Sequence, residues 1–75
     1  MIYRDYFSVR VSQLRKDKKL SMAALGDILG VSDEAIRLME KGKRSPSFEV
    51  LCSIADYFNV SLDYLVGRSD IPERR

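Results

Sequence analysis

Residues 22–41 read MAALGDILGVSDEAIRLMEK, and this stretch decides the fold. Apolar side chains recur at helical spacing on both sides of the short segment 30–32, which reads GVS. Two helices joined by so short a turn cannot pack antiparallel, so they must cross at a steep angle. Gly30 permits the left-handed backbone that ends one helix, and Gly26 lets the next helix approach closely. The apolar residues expected inside this corner are Leu25, Leu29, Val31, Ile36 and Met39.

Helical patterns with turn signals between them continue on both sides of this stretch, and no segment has the alternation of a strand. The sequence therefore predicts an all-α fold, a compact five-helix domain over residues 1–67 with a helix-turn-helix at 22–41. Residues 68–75 are expected to form a polar C-terminal tail that is frayed or contacts a partner. The predicted helices span Tyr6 to Lys18, Met22 to Leu29, Ser32 to Lys41, about Phe48 to Phe58, and Leu62 to Gly67. The serines expected to cap the last four are Ser21, Ser32, Ser47 and Ser61.

The composition excludes several classes of protein. Histidine is absent and Cys52 is the only cysteine, so the chain has neither a disulfide framework nor the ligands of a zinc site. No nucleophile–base pair is present either, which predicts a protein that is not an enzyme and needs no cofactor. The longest apolar stretch, Ala23 to Val31, contains Asp27 and is too short to cross a membrane. The lone cysteine and the lack of a secretory signal favour the cytoplasm.

The charges are segregated along the chain. Lysine and arginine number 13 and aspartate and glutamate 11, which leaves a net charge of only +2. No basic residue falls between Ser45 and Gly67, where Glu49, Asp56 and Asp63 lie. The positive charge is therefore concentrated in the rest of the fold, as in a small domain that binds a polyanion on one face.

Several short motifs follow one another in a specific order. They are Leu20-Ser21, Leu29-Gly30-Val31-Ser32, Ile36 with Met39, Glu40 to Arg44, Ser45-Pro46-Ser47, and Asn59 to Leu65. In this order they resemble the phage-repressor/Cro-like, or XRE-type, helix-turn-helix family, over about Arg10 to Gly67. The resemblance implies a phage-repressor-like five-helix fold, transcriptional control and binding to double-stranded DNA as a dimer. It also implies that helix 32–41 enters the major groove and that the following loop contacts phosphates.

The same resemblance suggests a buried ion pair between Arg15 and Glu40. The residues agree, because Glu40 follows Ile36 and Met39 at helical spacing and should lean inward. A buried carboxylate needs a partner, and losing one partner costs about 3–5 kcal/mol. The alternative is that both side chains are solvated surface charges.

The outward face of helix 32–41 is predicted to read bases. The guanidinium of Arg37 matches guanine O6 and N7, a contact worth about 1–3 kcal/mol of discrimination. Glu34 or Asp33 would accept a hydrogen bond from cytosine N4, and Leu38 would contact a thymine methyl group. Asp33 and Glu34 have an alternative role as stabilisers of the helix N-terminus. The predicted base-reading residues are Ser32, Asp33, Glu34, Arg37 and Leu38.

Phosphate contacts are predicted at two further places. Lys41, Lys43 and Arg44 would bind phosphates, which sets the register of the protein without reading sequence. The free backbone N–H groups at Ser21 and Met22 would bind another phosphate at a helix N-terminus. The alternative to phosphate binding by Lys43 and Arg44 is an ordinary solvated loop that binds no ligand.

The sequence departs from the usual pattern of the family in three respects. Met22 stands where glutamine is frequent, and the acidic residues Asp33 and Glu34 open the third helix. Lys19 replaces a frequent glycine, so we expect a positive φ at a residue other than glycine. The first two departures support a rival hypothesis, a protein-interaction module of the same fold with weak or no DNA binding.

The leading hypothesis is a sequence-specific regulator that binds a palindromic operator as a homodimer. Its two recognition helices would then meet half-sites about 34 Å apart on one face of the duplex. Candidate interface residues lie in the fourth and fifth helices and the tail, and include Tyr64, Val66 and Ile71. No small-molecule ligand is evident from the sequence.

Overall fold

The structure, a computed structural model, describes residues 2–73 and contains five helices and no strand over that range. The predicted all-α, five-helix fold is therefore confirmed. Residues 1, 74 and 75 of the predicted domain and tail lie outside the described residues. The helices are α1 (Ile2–Asp17), α2 (Met22–Leu29), α3 (Asp33–Glu40), α4 (Phe48–Phe58) and α5 (Leu62–Leu65).

A serine caps the N-terminus of each of the last four helices, as predicted. Each hydroxyl accepts a hydrogen bond of 3.0–3.2 Å from the backbone N–H three residues later. Each bond satisfies an amide that the helix leaves without a partner, and removing such a cap costs about 1 kcal/mol. The boundaries of these helices are therefore set by local chemistry. The four caps are Ser21, Ser32, Ser47 and Ser61.

Left-handed residues turn the chain between helices. Gly30 ends α2 with φ 74°, and Asn59 ends α4 with φ 55°. Lys19, between α1 and α2, has φ 58°, which confirms the expectation of a positive φ at this position. Because lysine has a Cβ, this conformation is less favourable there than it would be for glycine.

The corner between α2 and α3 depends on Gly26. A Cβ placed on this residue would lie 2.6 Å from the carbonyl oxygen of Val31, closer than real Cβ contacts come. The missing side chain therefore lets the turn close over α2, and Leu25 and Ile36 are buried on the two sides of the corner. With α3 held in this way, its opposite side faces outward.

One hydrophobic core joins all five helices. Phe7 and Val11 of α1 belong to the same buried cluster as residues of α2 and α3, and α4 and α5 supply the rest of it. In a core packed this closely, a change in volume of even one methylene group affects the stability of the fold. The buried apolar residues are Phe7, Val11, Leu25, Ala35, Ile36, Met39, Ile54, Ala55, Phe58, Val60 and Leu65.

The first helix begins four residues earlier than the sequence predicts. It starts at Ile2, not Tyr6, and ends at Asp17. Tyr3 lines a groove of about 300 Å³ whose wall includes residues distant in sequence, Leu51 and Val66. The Tyr3 side chain is nevertheless 50 % exposed, so the first turn of α1 has no clear apolar stripe, and the periodicity of the sequence does not indicate that this turn is helical.

Arg10 attaches the segment after α5 to the body of the domain. Its Nη1 donates hydrogen bonds to the carbonyl oxygens of Tyr64 and Ser69 at 2.5 and 2.7 Å. Farther along, the backbone N–H of Ser61 donates to the carbonyl of Pro72 at 2.9 Å. Fraying, one of the two expectations for the tail, is therefore wrong up to Pro72, because the half-buried Arg10 and a backbone hydrogen bond hold this segment.

Candidate nucleic-acid interface

The outer side of α3 presents the residues predicted to read bases. Ala35, Ile36 and Met39 are buried on its inner side. Of the five predicted readers, the three at the start of the helix are exposed and the two farther along it are half-buried. In chain order, these readers are Ser32, Asp33, Glu34, Arg37 and Leu38.

Glu34 and Arg37 form a two-point ion pair on this surface. Arg37 Nε donates to Glu34 Oε1 at 2.9 Å, and Arg37 Nη2 donates to Glu34 Oε2. These hydrogen bonds and the charge of Arg37 lower the pKa of the Glu34 carboxyl, and the same bonds raise the pKa of Arg37. The sequence predicted two independent readers here, although an acidic and a basic residue at i,i+3 spacing on a helix are also expected to pair. In the structure they form one unit.

Asp33 is engaged at the start of the helix. Its Oδ1 accepts a hydrogen bond of 2.9 Å from the backbone N–H of Glu34. A carboxylate in the first turn also interacts favourably with the positive end of the helix dipole. This geometry favours its alternative role as a helix stabiliser over base reading.

A Schellman motif ends α3 and directs the chain into the basic loop. The backbone N–H groups of Gly42 and Lys43 donate to the carbonyls of Met39 and Leu38 at 3.2 and 3.0 Å. Gly42 has φ 72°, which suits the left-handed residue of this motif. The chain therefore turns sharply as soon as α3 ends.

The cations predicted to bind phosphates cluster at this turn. Lys41, Lys43 and Arg44 are exposed, and none of them forms a salt bridge with any residue in the range 2–73. Exposed cations that form no salt bridge in the described chain can neutralise an external anion. They follow the outer face of α3 directly in the chain.

The second predicted phosphate site is the N-terminus of α2. Ser21 is exposed, and its hydroxyl accepts from the backbone N–H of Ala24 at 3.0 Å. Met22 is half-buried and packs against the core, so its side chain serves the fold. Backbone amides in a first helical turn have no acceptor within the helix, which leaves them able to bind an anion.

Arg15 and Glu40 fix α3 on α1. Arg15 Nε and Nη2 lie 2.5 and 3.0 Å from the two carboxylate oxygens of Glu40, and Nη1 donates to the carbonyl of Leu20 at 2.8 Å. Hydrogen bonding to Glu40 raises the pKa of Arg15, although burial opposes this shift. Their side chains are 11 % and 6 % exposed, so the alternative of two solvated charges is wrong.

The residues predicted to form the dimer interface are only partly exposed. The Arg10 guanidinium lies 4.2 Å from the centroid of the Tyr64 ring, and Tyr64 and Val66 are half-buried. Ile71, by contrast, is 45 % exposed, and Leu62 is 41 % exposed. Exposed apolar surface in this region is therefore supplied by Leu62 and Ile71.

Two features of the surface were not predicted from the sequence. The first is Arg10, which anchors the C-terminal segment. Its guanidinium also lies 5.4 Å from the centroid of the Tyr6 ring, and only this second contact was indicated by the sequence, through the i,i+4 spacing of the two residues. Phe48 is 73 % exposed at the first turn of α4, just after the basic loop. Its position directly behind the Ser47 cap, outside the apolar stripe, was the available signal.

In the described range, no helix is long and apolar enough to cross a membrane. The same residues contain no group of three or more histidine, cysteine or acidic side chains arranged to hold a metal ion.

Comparison with known proteins gives a consistent set of relatives. Residues 11–65 match the family model described as Helix-turn-helix. The HTH-type transcriptional regulator AnsR of Bacillus subtilis (strain 168) is 39 % identical over 59 residues, which cover 79 % of this chain and 51 % of AnsR. The HTH-type transcriptional regulator YqaE of the same organism is 38 % identical over 60 residues, 80 % of this chain and 52 % of YqaE. The chain thus spans about half the length of these curated relatives.

The fold also matches that of a repressor solved on DNA. The P22 c2 repressor protein, in complex with a synthetic operator, superposes with a TM-score of 0.78 and 33 % sequence identity. The match covers 84 % of this chain and 96 % of the repressor chain. The relatives named here are regulators, which agrees with the expectation that this chain is not an enzyme.

Proposed function

The chain belongs to the helix-turn-helix family of transcriptional regulators, and from this premise we propose that it binds double-stranded DNA in a sequence-specific manner. The observation that carries the proposal is the outer side of α3, which exposes Ser32 and the Glu34–Arg37 pair and leads directly into a loop of exposed cations. Polar groups that reach base edges beside cations that reach phosphates are the two components of duplex recognition.

The proposed complex has α3 in the major groove. Arg37 contacts guanine, Ser32 hydrogen-bonds a base edge and Leu38 contacts a thymine methyl group. Asp33 and Glu34 lie at the same surface as further candidate readers. The proposed phosphate contacts come from the backbone at Ser21 and Met22 and from Lys41, Lys43 and Arg44.

We further propose that two copies bind a palindromic operator. One recognition helix contacts only a few base pairs, and a second copy about 34 Å away doubles the sequence that is read. The exposed side chains of Leu62 and Ile71 support a contact between copies near α5. A lone cysteine, Cys52, suits the reducing cytoplasm in which we propose that the protein acts.

The test is selection of bound duplexes from a random pool, followed by affinity measurements by fluorescence anisotropy at several salt concentrations. We expect an enriched palindrome, two protomers per duplex by analytical ultracentrifugation, and an affinity for DNA that falls steeply as salt rises. Recovery of unenriched sequences, together with no salt-sensitive binding, would contradict DNA binding. An enriched half-site bound by one protomer would contradict only the dimer.

The rival function, a protein-interaction module, has one observation in its favour. Glu34 neutralises the only arginine on the outer side of α3, which lowers the positive charge available to a polyanion. The salt titration separates the two functions, because a DNA-binding protein has an affinity for duplexes that falls steeply as salt rises, whereas a protein-interaction module has no such salt-sensitive affinity for DNA.

A further inference from the structure

The Glu34–Arg37 pair leaves a defined part of Arg37 available. A guanidinium has three nitrogens, and its N–H groups form a rigid planar fork. Glu34 occupies the edge made by Nε and Nη2. The other edge, made by Nη1 and the second hydrogen of Nη2, has no hydrogen-bond partner within residues 2–73. This free edge still offers two parallel donors.

The pairing also restrains the direction of this edge. A free arginine side chain has several rotatable bonds and loses rotamer entropy when it becomes fixed. Glu34 lies one helical turn before Arg37, and two hydrogen bonds to it restrict these rotations before any ligand binds. Because the side chain of Arg37 is still 39 % exposed, the restrained guanidinium is accessible from outside.

The pair also explains how a carboxylate can stand at a surface that meets a polyanion. An unpaired carboxylate would repel the phosphates, whereas Glu34 is bonded to one cation and lies in the field of a second, Lys41. Both of its oxygens are already bonded to Arg37, so accepting a hydrogen bond from cytosine N4 would compete with that pair.

We propose that Glu34 is a positioning residue for base recognition, which holds Arg37 so that the free edge of its guanidinium reads guanine O6 and N7. The inference rests on the proposed function and deepens it. Adenine presents N7 beside an amino donor, so the two donors of the free edge match guanine and not adenine. Glu34 thus acts through Arg37 and selects one base pair in each half-site.

The test uses the duplex selected by the wild-type protein and copies in which each guanine is replaced in turn by 7-deazaguanine, which lacks the N7 acceptor but pairs normally. Affinities are measured for the wild type and for Arg37→Ala, Glu34→Ala, Glu34→Gln and Asp27→Ala. Asp27→Ala is the control, because it removes an exposed carboxylate from the neighbouring helix α2 and leaves the Glu34–Arg37 pair intact. Circular dichroism checks that each variant is folded.

We expect one guanine per half-site at which the wild type and Asp27→Ala lose about tenfold in affinity on 7-deaza substitution, as for a hydrogen bond to a charged group. Arg37→Ala should lose this discrimination, Glu34→Ala should lose most of it, and Glu34→Gln should retain an intermediate value. Affinity of Glu34→Ala for random duplexes should be unchanged or higher, because a negative charge has been removed. A merely structural role for Glu34 would not change base discrimination in a folded variant.

Full discrimination in Glu34→Ala would overturn the inference and leave DNA binding intact. So would a loss of preference at a different base pair in that variant, since it would mean that Glu34 reads cytosine itself. Absence of salt-sensitive duplex binding by the wild type would instead overturn the proposed function, and the inference with it.

Discussion

Arg15 of the first helix and Glu40 at the end of the third are joined by two hydrogen bonds, of 2.5 and 3.0 Å, at a site where both side chains are nearly buried. The third nitrogen of the guanidinium binds the Leu20 carbonyl in the turn before α2. One side chain thus connects three segments and sets the position of α3.

Removing this arginine should destabilise the domain strongly. Arg15→Ala leaves the Glu40 carboxylate buried without a partner, which costs about 3–5 kcal/mol. The free energy of unfolding of a 75-residue domain is only a few kcal/mol, so this variant should melt near or below room temperature. Arg15→Lys, which keeps one charge but loses the two-point geometry, should show an intermediate midpoint in urea.

The matched control for this substitution is Arg68→Ala. Arg68 lies 3.8 Å from Asp63, and both side chains are more than 60 % exposed, so its loss should change the stability by about 0–1 kcal/mol. Equal melting temperatures for Arg15→Ala and Arg68→Ala, followed by circular dichroism, would show that the buried pair contributes no stability.

Gly26→Ala should destabilise the corner between α2 and α3. The new Cβ would meet a backbone oxygen at 2.6 Å, and backbone cannot yield as a flexible side chain does. We expect a loss of about 1–3 kcal/mol, measured by urea denaturation. Asp27→Ala, at the exposed neighbouring position, should change the stability by about 0.5 kcal/mol or less. A Gly26→Ala variant as stable as Asp27→Ala would mean that the turn relaxes freely.

Arg10→Ala should release the C-terminal segment without unfolding the domain. Hydrogen bonds to charged groups contribute about 1.5–3 kcal/mol, so the Ser61 amide, which donates to Pro72, should exchange its hydrogen at least tenfold faster. In the control, Asp70→Ala, the lost carboxylate is 96 % exposed and exchange should barely change. Unchanged protection of Ser61 in Arg10→Ala would show that the segment is held by other contacts.

Arg37→Ala and Lys43→Ala should affect DNA binding differently. Arg37→Ala should relax base preference, whereas Lys43→Ala should weaken binding to all duplexes and reduce the salt slope by about one unit. Anisotropy on the selected and a scrambled duplex measures both effects. Lys16→Ala removes an exposed cation of α1 and should leave both quantities near the wild-type values. Identical behaviour of the first two variants on the two duplexes would refute the division into readers and phosphate contacts.

The Glu34–Arg37 pair should persist into mildly acidic solution. Hydrogen bonding to Arg37 lowers the pKa of Glu34 from the usual value of 4.5, so the folded chain binds this proton less readily than the unfolded chain. Its contribution to stability is therefore fully present above about pH 4.5 and is lost as the pH falls through the lower, folded pKa. The carboxyl carbon of Glu34, followed by NMR, should titrate below 4.5. In Arg37→Gln the midpoint should rise toward that value, and a midpoint that does not move would exclude the pair in solution.

Much of the candidate site was predictable because its signals lie close together in sequence. The cap at Ser32, the turn at Gly30 and the apolar spacing that buries Ile36 each depend on interactions within a few residues. The pairing of Glu34 with Arg37 was equally local, yet the sequence alone does not say whether those groups bind each other or a ligand.

The five helices, the glycine-hinged corner and the outward side of α3 follow from local patterns in the chain, because periodicity, capping and turn chemistry act over one or two helical turns. The early start of α1 and the anchoring of the C-terminal segment by Arg10 instead depend on how the helices pack together. The contacts of Arg10 join residues 54 to 60 positions apart in the chain, and such pairs form only when the whole fold brings them together.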